Sequence, residues 1–259
     1  MTFSSQFKLC QSALSKGFTL IELVIVIIIL SAVGIATTSY IATGLDIYND
    51  ITERDKSINS VRFVMERMHR EVSNALPNSA KSFANPDGDD NQCLSFYPIK
   101  KSSFYTDFPI YPLQSSEGSV ATISDYDYVT GDRAVVYLLH EAELASVETN
   151  GSAKSQAISS VNAAKDKLFF SSSVSFPLSS PASRVYIIND IVKYCFLGTD
   201  LYRQKNAETA VLMGENIAGT FNVIDATLQR NSLVKIGLSL VFDGQEVAFE
   251  KTLHINNVP

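Results

Sequence analysis

Three groups of residues in this chain have types and spacings that point to chemistry. The first is Lys16-Gly17-Phe18 followed by Glu22, the only charge in the apolar run Phe18–Ala36, FTLIELVIVIIILSAVGIA. A cut after Gly17 would free an amine on Phe18, four residues from Glu22 and on the same helical face. Between packed chains, the amine of one copy would meet the carboxylate of its neighbour. A buried charge would then find its counter-charge only on assembly. The second group is the loop NPDGDDNQC at 85–93, where Asp87, Asp89, Asp90 and Asn91 offer hard oxygens and Gly88 permits a tight turn, as calcium favours. The loop departs from the D-x-[DN]-x-[DN]-G pattern and no glutamate stands at the twelfth position, so a solvated turn is the plainer reading. The third group is the cysteines Cys10, Cys93 and Cys195. Loss of residues 1–17 leaves Cys93 and Cys195, which outside the cytoplasm read either as one disulfide or as two separate buried thiols.

Catalysis finds little support in the sequence. The histidines are His69, His140 and His254, and no H-E-x-x-H, G-x-S-x-G or phosphate-binding glycine loop occurs. His140 has Glu141 and Glu143 beside it, a spacing open to a metal but equally that of a strand-end histidine among solvated acids. The chain reads as a non-enzyme without a cofactor, calcium at Asp87, Asp89 and Asp90 being the one candidate. The net charge is −6. Lys8 and Lys16 are the only charges before Phe18, so removing residues 1–17 leaves 19 basic against 27 acidic residues, a net of −8. That balance argues against a nucleic-acid partner, which wants a basic face.

The elements that position these groups follow from periodicity. Phe18–Ala36 as helix covers about 28 Å, close to the hydrocarbon thickness of a bilayer. A cleaved secretory signal explains Lys8 and Lys16, but the apolar run exceeds the usual signal core and lacks a clear small-x-small site. A plain anchor fits the length, but neither reading explains a carboxylate that costs about 2–3 kcal/mol or more inside an apolar helix. After Tyr40 a heptad-like stripe begins. Ile51, Ile58, Met65 and Val72 fill one seam, and Ile47, Val61, Met68 and Ala75 the other, with Arg54 the exception. The helix should stop near Asn74, ahead of Pro77.

Beyond Leu76, strands are expected at 93–99, 126–130, 133–139, 167–176, 184–190, 191–197, 220–228, 233–242 and 246–255. Val234, Ile236, Leu238, Leu240 and Phe242 form the clearest buried face, and Asp243-Gly244 marks a hairpin turn. Residues 146–166, polar and small, read as an exposed, mobile insertion. One long helix followed by runs of strands predicts an α+β fold, a helix packed on an antiparallel sheet.

The segment KGFTLIELVIVIIIL resembles the class III leader of type IV prepilins and type II secretion pseudopilins. The resemblance implies a cut after Gly17, N-methylation of Phe18 and an assembly role for Glu22. Family members often bend the helix with proline where this chain has Ser39, so no kink is expected there. It also implies the organisation 1–17 cleaved leader, 18–43 transmembrane and assembly helix, 44–76 amphipathic helix and 77–259 periplasmic β-rich head. RFVMERMHREVSNALPNS (62–79), CLSFYPIKKSSFYTD (93–107) and HINNVP (254–259) further resemble minor pilins of the mannose-sensitive haemagglutinin (MSHA) pilus, akin to the PilW-like and J-type minor pseudopilins. The implied partners are prepilin peptidase/methyltransferase, other minor and major pilins, the inner-membrane assembly platform and membrane lipid. The implied location is the inner membrane and then the pilus. Two other roles share this plan: a J-type pseudopilin of a type II secretion system, and a tip adhesin with Tyr105, Tyr111, Tyr126 and Tyr128 as stacking faces.

Overall fold

The computed structural model describes residues 17–86, 88, 92–148, 150–224, 232–242 and 245–255. The chain divides between Asp55 and Lys56 into two compact units. One helix, α1 (Leu20–Ser73), contributes to both. Its first part exposes its apolar side chains, from Leu20 and Ile21 through Ile51. The helix contains a segment long and apolar enough to cross a membrane. Hydroxyls in this part are bonded along the helix itself: Ser31 Oγ donates to the Ile27 carbonyl at 2.7 Å, Thr38 Oγ1 to Gly34 at 2.7 Å and Thr43 Oγ1 to Ser39 at 3.1 Å. Such back-bonds satisfy polar groups that lipid cannot. The helix is continuous through Ser39.

In the second unit α1 buries Val61, Val64, Met68 and Val72, with Ile58 and Met65 partly buried beside them. The heptad reading of the stripe is therefore corrected at its start, because Ile47 and Ile51 are exposed. The helix packs on β-sheet only from Ile58 onward, and the extra buried residue, Val64, reflects a face wider than two seams. After Ser73 the chain turns, and the Leu76 amide donates to the Tyr97 carbonyl at 2.8 Å. Pro77 disfavours helix at Leu76, so the stop falls where the backbone can no longer continue.

Two antiparallel sheets receive the helix. One runs in the order β1 (Lys81–Phe83), β2 (Cys93–Phe96), β9 (Val192–Leu197), β10 (Asp200–Lys205) and β11 (Val211–Gly214). The other joins β12 (Ile217–Ile224), β13 (Leu233–Phe242) and β14 (Gln245–His254). In β13, Val234, Ile236, Leu238 and Leu240 are buried while Lys235 is exposed, the alternation of a sheet with one face on a core. The register places Phe242 opposite Gln245, while Asp243 and Gly244 lie outside the described residues. Gly219 on β12 faces the same core. A Cβ there would run into the Gly237 carbonyl oxygen and come within 2.8 Å of the Phe196 ring. Phe196 stacks on Phe221 at 5.0 Å, so glycine makes room for an aromatic pair.

Between β2 and β9, which pair directly, the chain builds a closed six-stranded barrel. Its strands are β3 (Ile99–Asp107), β4 (Ser115–Val120), β5 (Arg133–Val135), β6 (Ser155–Val161), β7 (Lys167–Val174) and β8 (Arg184–Ile188), closing in the order β3-β4-β7-β6-β5-β8. This corrects two expectations. Residues 146–166 are not an exposed insertion, because Ser155–Val161 is a barrel strand with Ile158 in the core. Residues 126–130 are not a strand, and Tyr126 instead reaches the barrel core from a loop. A small barrel is filled by a few large rings, here Phe108, Phe170 and Phe176 with centroids 5.2–6.0 Å apart. Its other strands can therefore be rich in serine and glycine, and Gly118 on β4 lies where any Cβ would strike the Phe108 ring.

Candidate functional site

The first candidate site is the start of α1. Gly17, Phe18 and Thr19 precede the helix and are exposed, Phe18 at 77%. Thr19 is the N-cap: its Oγ1 accepts from the Glu22 amide at 3.3 Å and its carbonyl from Leu23 at 3.2 Å. Thr19-Leu20-Ile21-Glu22 thus has the spacing of a capping box, and an acid in the first turn also suits the helix dipole. This capping role was legible in the sequence as T-x-x-E but was not part of the reading of Glu22 above. The cap uses the Glu22 amide. Among the described residues the Glu22 carboxylate has no hydrogen-bond or ion-pair partner, in contrast to the self-bonded hydroxyls further along the same helix.

The second feature is the join between barrel and sheet. Cys93 and Cys195 are directly opposite on β2 and β9 and form a disulfide, with Cα atoms 4.1 Å apart. It closes the neck through which the chain enters and leaves the barrel. On α1, Glu71 accepts from Arg67 Nε at 3.2 Å, Tyr194 Oη at 2.9 Å and Arg203 Nε at 3.0 Å, tying the helix to β9 and β10. Burial, with the Glu71 charge added, pushes the Tyr194 hydroxyl well up and keeps it a donor.

The third feature is a buried carboxylate at one end of the barrel. Asp132 is fully buried and accepts from Lys100 Nζ at 2.7 and 2.9 Å, Asn189 Nδ2 at 2.7 Å, Tyr126 Oη at 2.9 Å and the Val129 amide at 3.0 Å. Burial alone would raise its pKa, but the bonds from Lys100, Asn189, Val129 and Tyr126 outweigh burial and hold it below the usual carboxylate range. These donors come from β3, the loop before β5 and the end of β8, so the charge pins three segments together. The arrangement offers no nucleophile next to a base and reads as structural.

The remaining sequence candidates disperse. His140 precedes a short 3-10 turn, Glu141–Leu144, and the Glu143 carboxylate accepts from the Leu139 and His140 amides. Glu143 thus serves a cap, Glu141 pairs with Lys81 at 3.3 Å, and no cluster of three metal-ligating side chains occurs among the described residues. The calcium candidates Asp87, Asp89 and Asp90 lie outside those residues. Of the four tyrosines, Tyr126 is buried, Tyr105 and Tyr128 are half-buried and Tyr111 alone is exposed.

An apolar helix that continues as the spine of an antiparallel β head defines an α+β, pilin-like protein. Residues 13–38 match the family model for the prokaryotic N-terminal methylation motif. The match spans Gly17, Phe18 and Glu22. It supports a protein of the type IV prepilin and pseudopilin kind, processed by prepilin peptidase and assembled with other pilins. Proteins of that kind are structural and non-enzymatic. No curated protein and no solved structure matches the chain.

Proposed function

We propose that this protein is a minor pilin of an MSHA-type type IV pilus, of the MshO kind, which helps to initiate or cap the filament. Prepilin peptidase cuts after Gly17, and the released Phe18 is N-methylated. The anchor helix holds the protein in the inner membrane with Lys8 and Lys16 on the cytoplasmic side and the β head in the periplasm. The assembly platform then moves it into the filament, where α1 exchanges lipid for the helices of neighbouring subunits.

The observation that carries this reading is the Glu22 carboxylate, without a partner among the described residues, in a helix where Ser31, Thr38 and Thr43 bond back to its own carbonyls. A charge in lipid costs about 2.5–3.5 kcal/mol at the centre of a spanning helix and less near its end. A neighbour's Phe18 amine offsets that cost only in the assembled state. The MSHA assignment draws its support from the resemblance at 62–79, 93–107 and 254–259. The test separates charge from side-chain bulk. Glu22→Gln keeps the length of the side chain and removes its charge, whereas Glu22→Ala removes the side chain as well; both keep the Thr19 cap, which uses only the backbone amide of residue 22. Both variants should be cleaved normally and should fall at least about tenfold in sheared pilus fractions, the equivalent of about 1.4 kcal/mol. Wild-type incorporation of Glu22→Gln would show that the charge is dispensable and refute the pairing role.

A further inference from the structure

The outside of the barrel carries a cleft of about 360 Å3 lined by Ser102, Ser103, Phe104, Thr122, Arg184 and Tyr186. Its centre is a cross-strand pair. Phe104 on β3 stands opposite Arg184 on β8, and the guanidinium carbon lies 5.6 Å from the Phe104 ring centroid. Contact with an aromatic face uses the cation's charge but none of its N–H donors. Those donors are nearly idle. Nη1 reaches the Tyr186 hydroxyl at 3.5 Å, the limit of a hydrogen bond, and Nε is buried with no partner among the described residues. Among the described residues no carboxylate lines the cleft. Nε is closed to solvent, so an acceptor in the cleft meets the Nη1 and Nη2 donors of a guanidinium that has no carboxylate partner among the described residues.

We infer that this cleft binds the carboxylate of an acidic sugar, a hexuronate-type residue. The carboxylate accepts from Arg184, whose planar fork suits two parallel bonds to one carboxyl group. The apolar face of the sugar ring rests on Phe104, 53% exposed at the cleft wall. The sugar hydroxyls meet Ser102, Thr122 and Ser103. The Ser103 Oγ already donates to the Ala121 carbonyl at 2.7 Å and so serves the ligand as an acceptor. The cleft volume falls within the range of small-molecule sites and is ample for one pyranose ring. This site does not depend on how the protein is processed or assembled. It also differs from the tyrosine stacking surface suggested by sequence, since Tyr105, Tyr111, Tyr126 and Tyr128 do not line it.

The test is calorimetric titration of the full chain in micelles of a detergent without a sugar headgroup, using glucuronate, glucose, acetate and inorganic phosphate. Glucuronate should bind at least about tenfold more tightly than each of the other three, a difference of about 1.4 kcal/mol. Arg184→Lys, which keeps the charge and loses the fork, should weaken glucuronate about tenfold or more with the unfolding temperature unchanged. Phe104→Ala should weaken it about threefold or more, and because that ring is exposed, it serves if Arg184→Lys does not fold. Glucuronate binding no tighter than glucose would overturn the carboxylate contact. Acetate or phosphate binding as tightly as glucuronate would overturn the sugar. Unchanged glucuronate affinity in the folded Arg184→Lys or Phe104→Ala chain would overturn the site.

Discussion

Replacing Asp132 by asparagine tests the physical account of the barrel most sharply. The change preserves shape and removes charge. In the native chain five donor contacts from four residues converge on the carboxylate, the shortest from Lys100 and Asn189, each at 2.7 Å. Asparagine keeps one acceptor oxygen and turns an NH2 group toward donors that need an acceptor. Breaking a buried ion pair costs about 3–5 kcal/mol. The Lys100 side chain is 30% exposed and can turn to water, which moves the expected loss to the low end, about 3 kcal/mol. For a chain of this size that corresponds to roughly 6–12 °C in unfolding temperature. The assay is near-UV circular dichroism of the tyrosines during heating of the full chain in detergent. The pH dependence carries a definite sign. Asp132 titrates below its unfolded value, so its contribution is present above about pH 4 and is lost as the pH falls through the folded pKa. The gap between wild type and Asp132→Asn should therefore be full at pH 7 and narrow in acid. A gap under about 1 kcal/mol at neutral pH, or one that does not shrink in acid, would refute the reasoning.

Three further outcomes follow from other parts of the molecule. Replacing Cys93 and Cys195 together by serine opens a link spanning 102 residues of sequence, and should cost about 2–4 kcal/mol in chemical denaturation without changing the far-UV spectrum. Gly219→Ala should destabilise by about 1–3 kcal/mol, because the added carbon meets the Gly237 carbonyl oxygen and the Phe196 ring. A silent substitution would show that β12 and β13 can move apart. Gly17→Val should leave the leader attached, seen as a slower band on immunoblots of membranes, and cleavage at the wild-type rate would contradict the role proposed for Gly17.

The parts of the fold legible in the sequence are those with a single buried face. Val61, Met68 and Val72 on α1 and the alternating residues of β13 pack against one core, so period alone reveals them. The barrel escaped for the opposite reason. Its aromatic filling comes from a few positions, so β4 (SSEGSV) and β6 (SQAISSV) can be strands with little apolar pattern of their own. Their pairing depends on partners far along the chain, which no local window contains. The disulfide pair was a candidate by count, but the neck it closes is visible only once β2 and β9 are side by side. Arg184 had no sequence signal at all. Its cleft exists because the β3–β8 register puts it opposite Phe104. At the N-terminus the situation reverses: Gly17, Phe18 and Glu22 were conspicuous from residue type and spacing, while the Thr19 cap emerged from the hydrogen bonds.

The measurement that bears most directly on the central claim is the N-terminal sequence and intact mass of the mature protein recovered from cells. The account predicts a chain that begins at Phe18 and carries one methyl group on its terminal nitrogen. A mature chain that begins at any other residue, or that reaches the filament with residues 1–17 still attached, would contradict it.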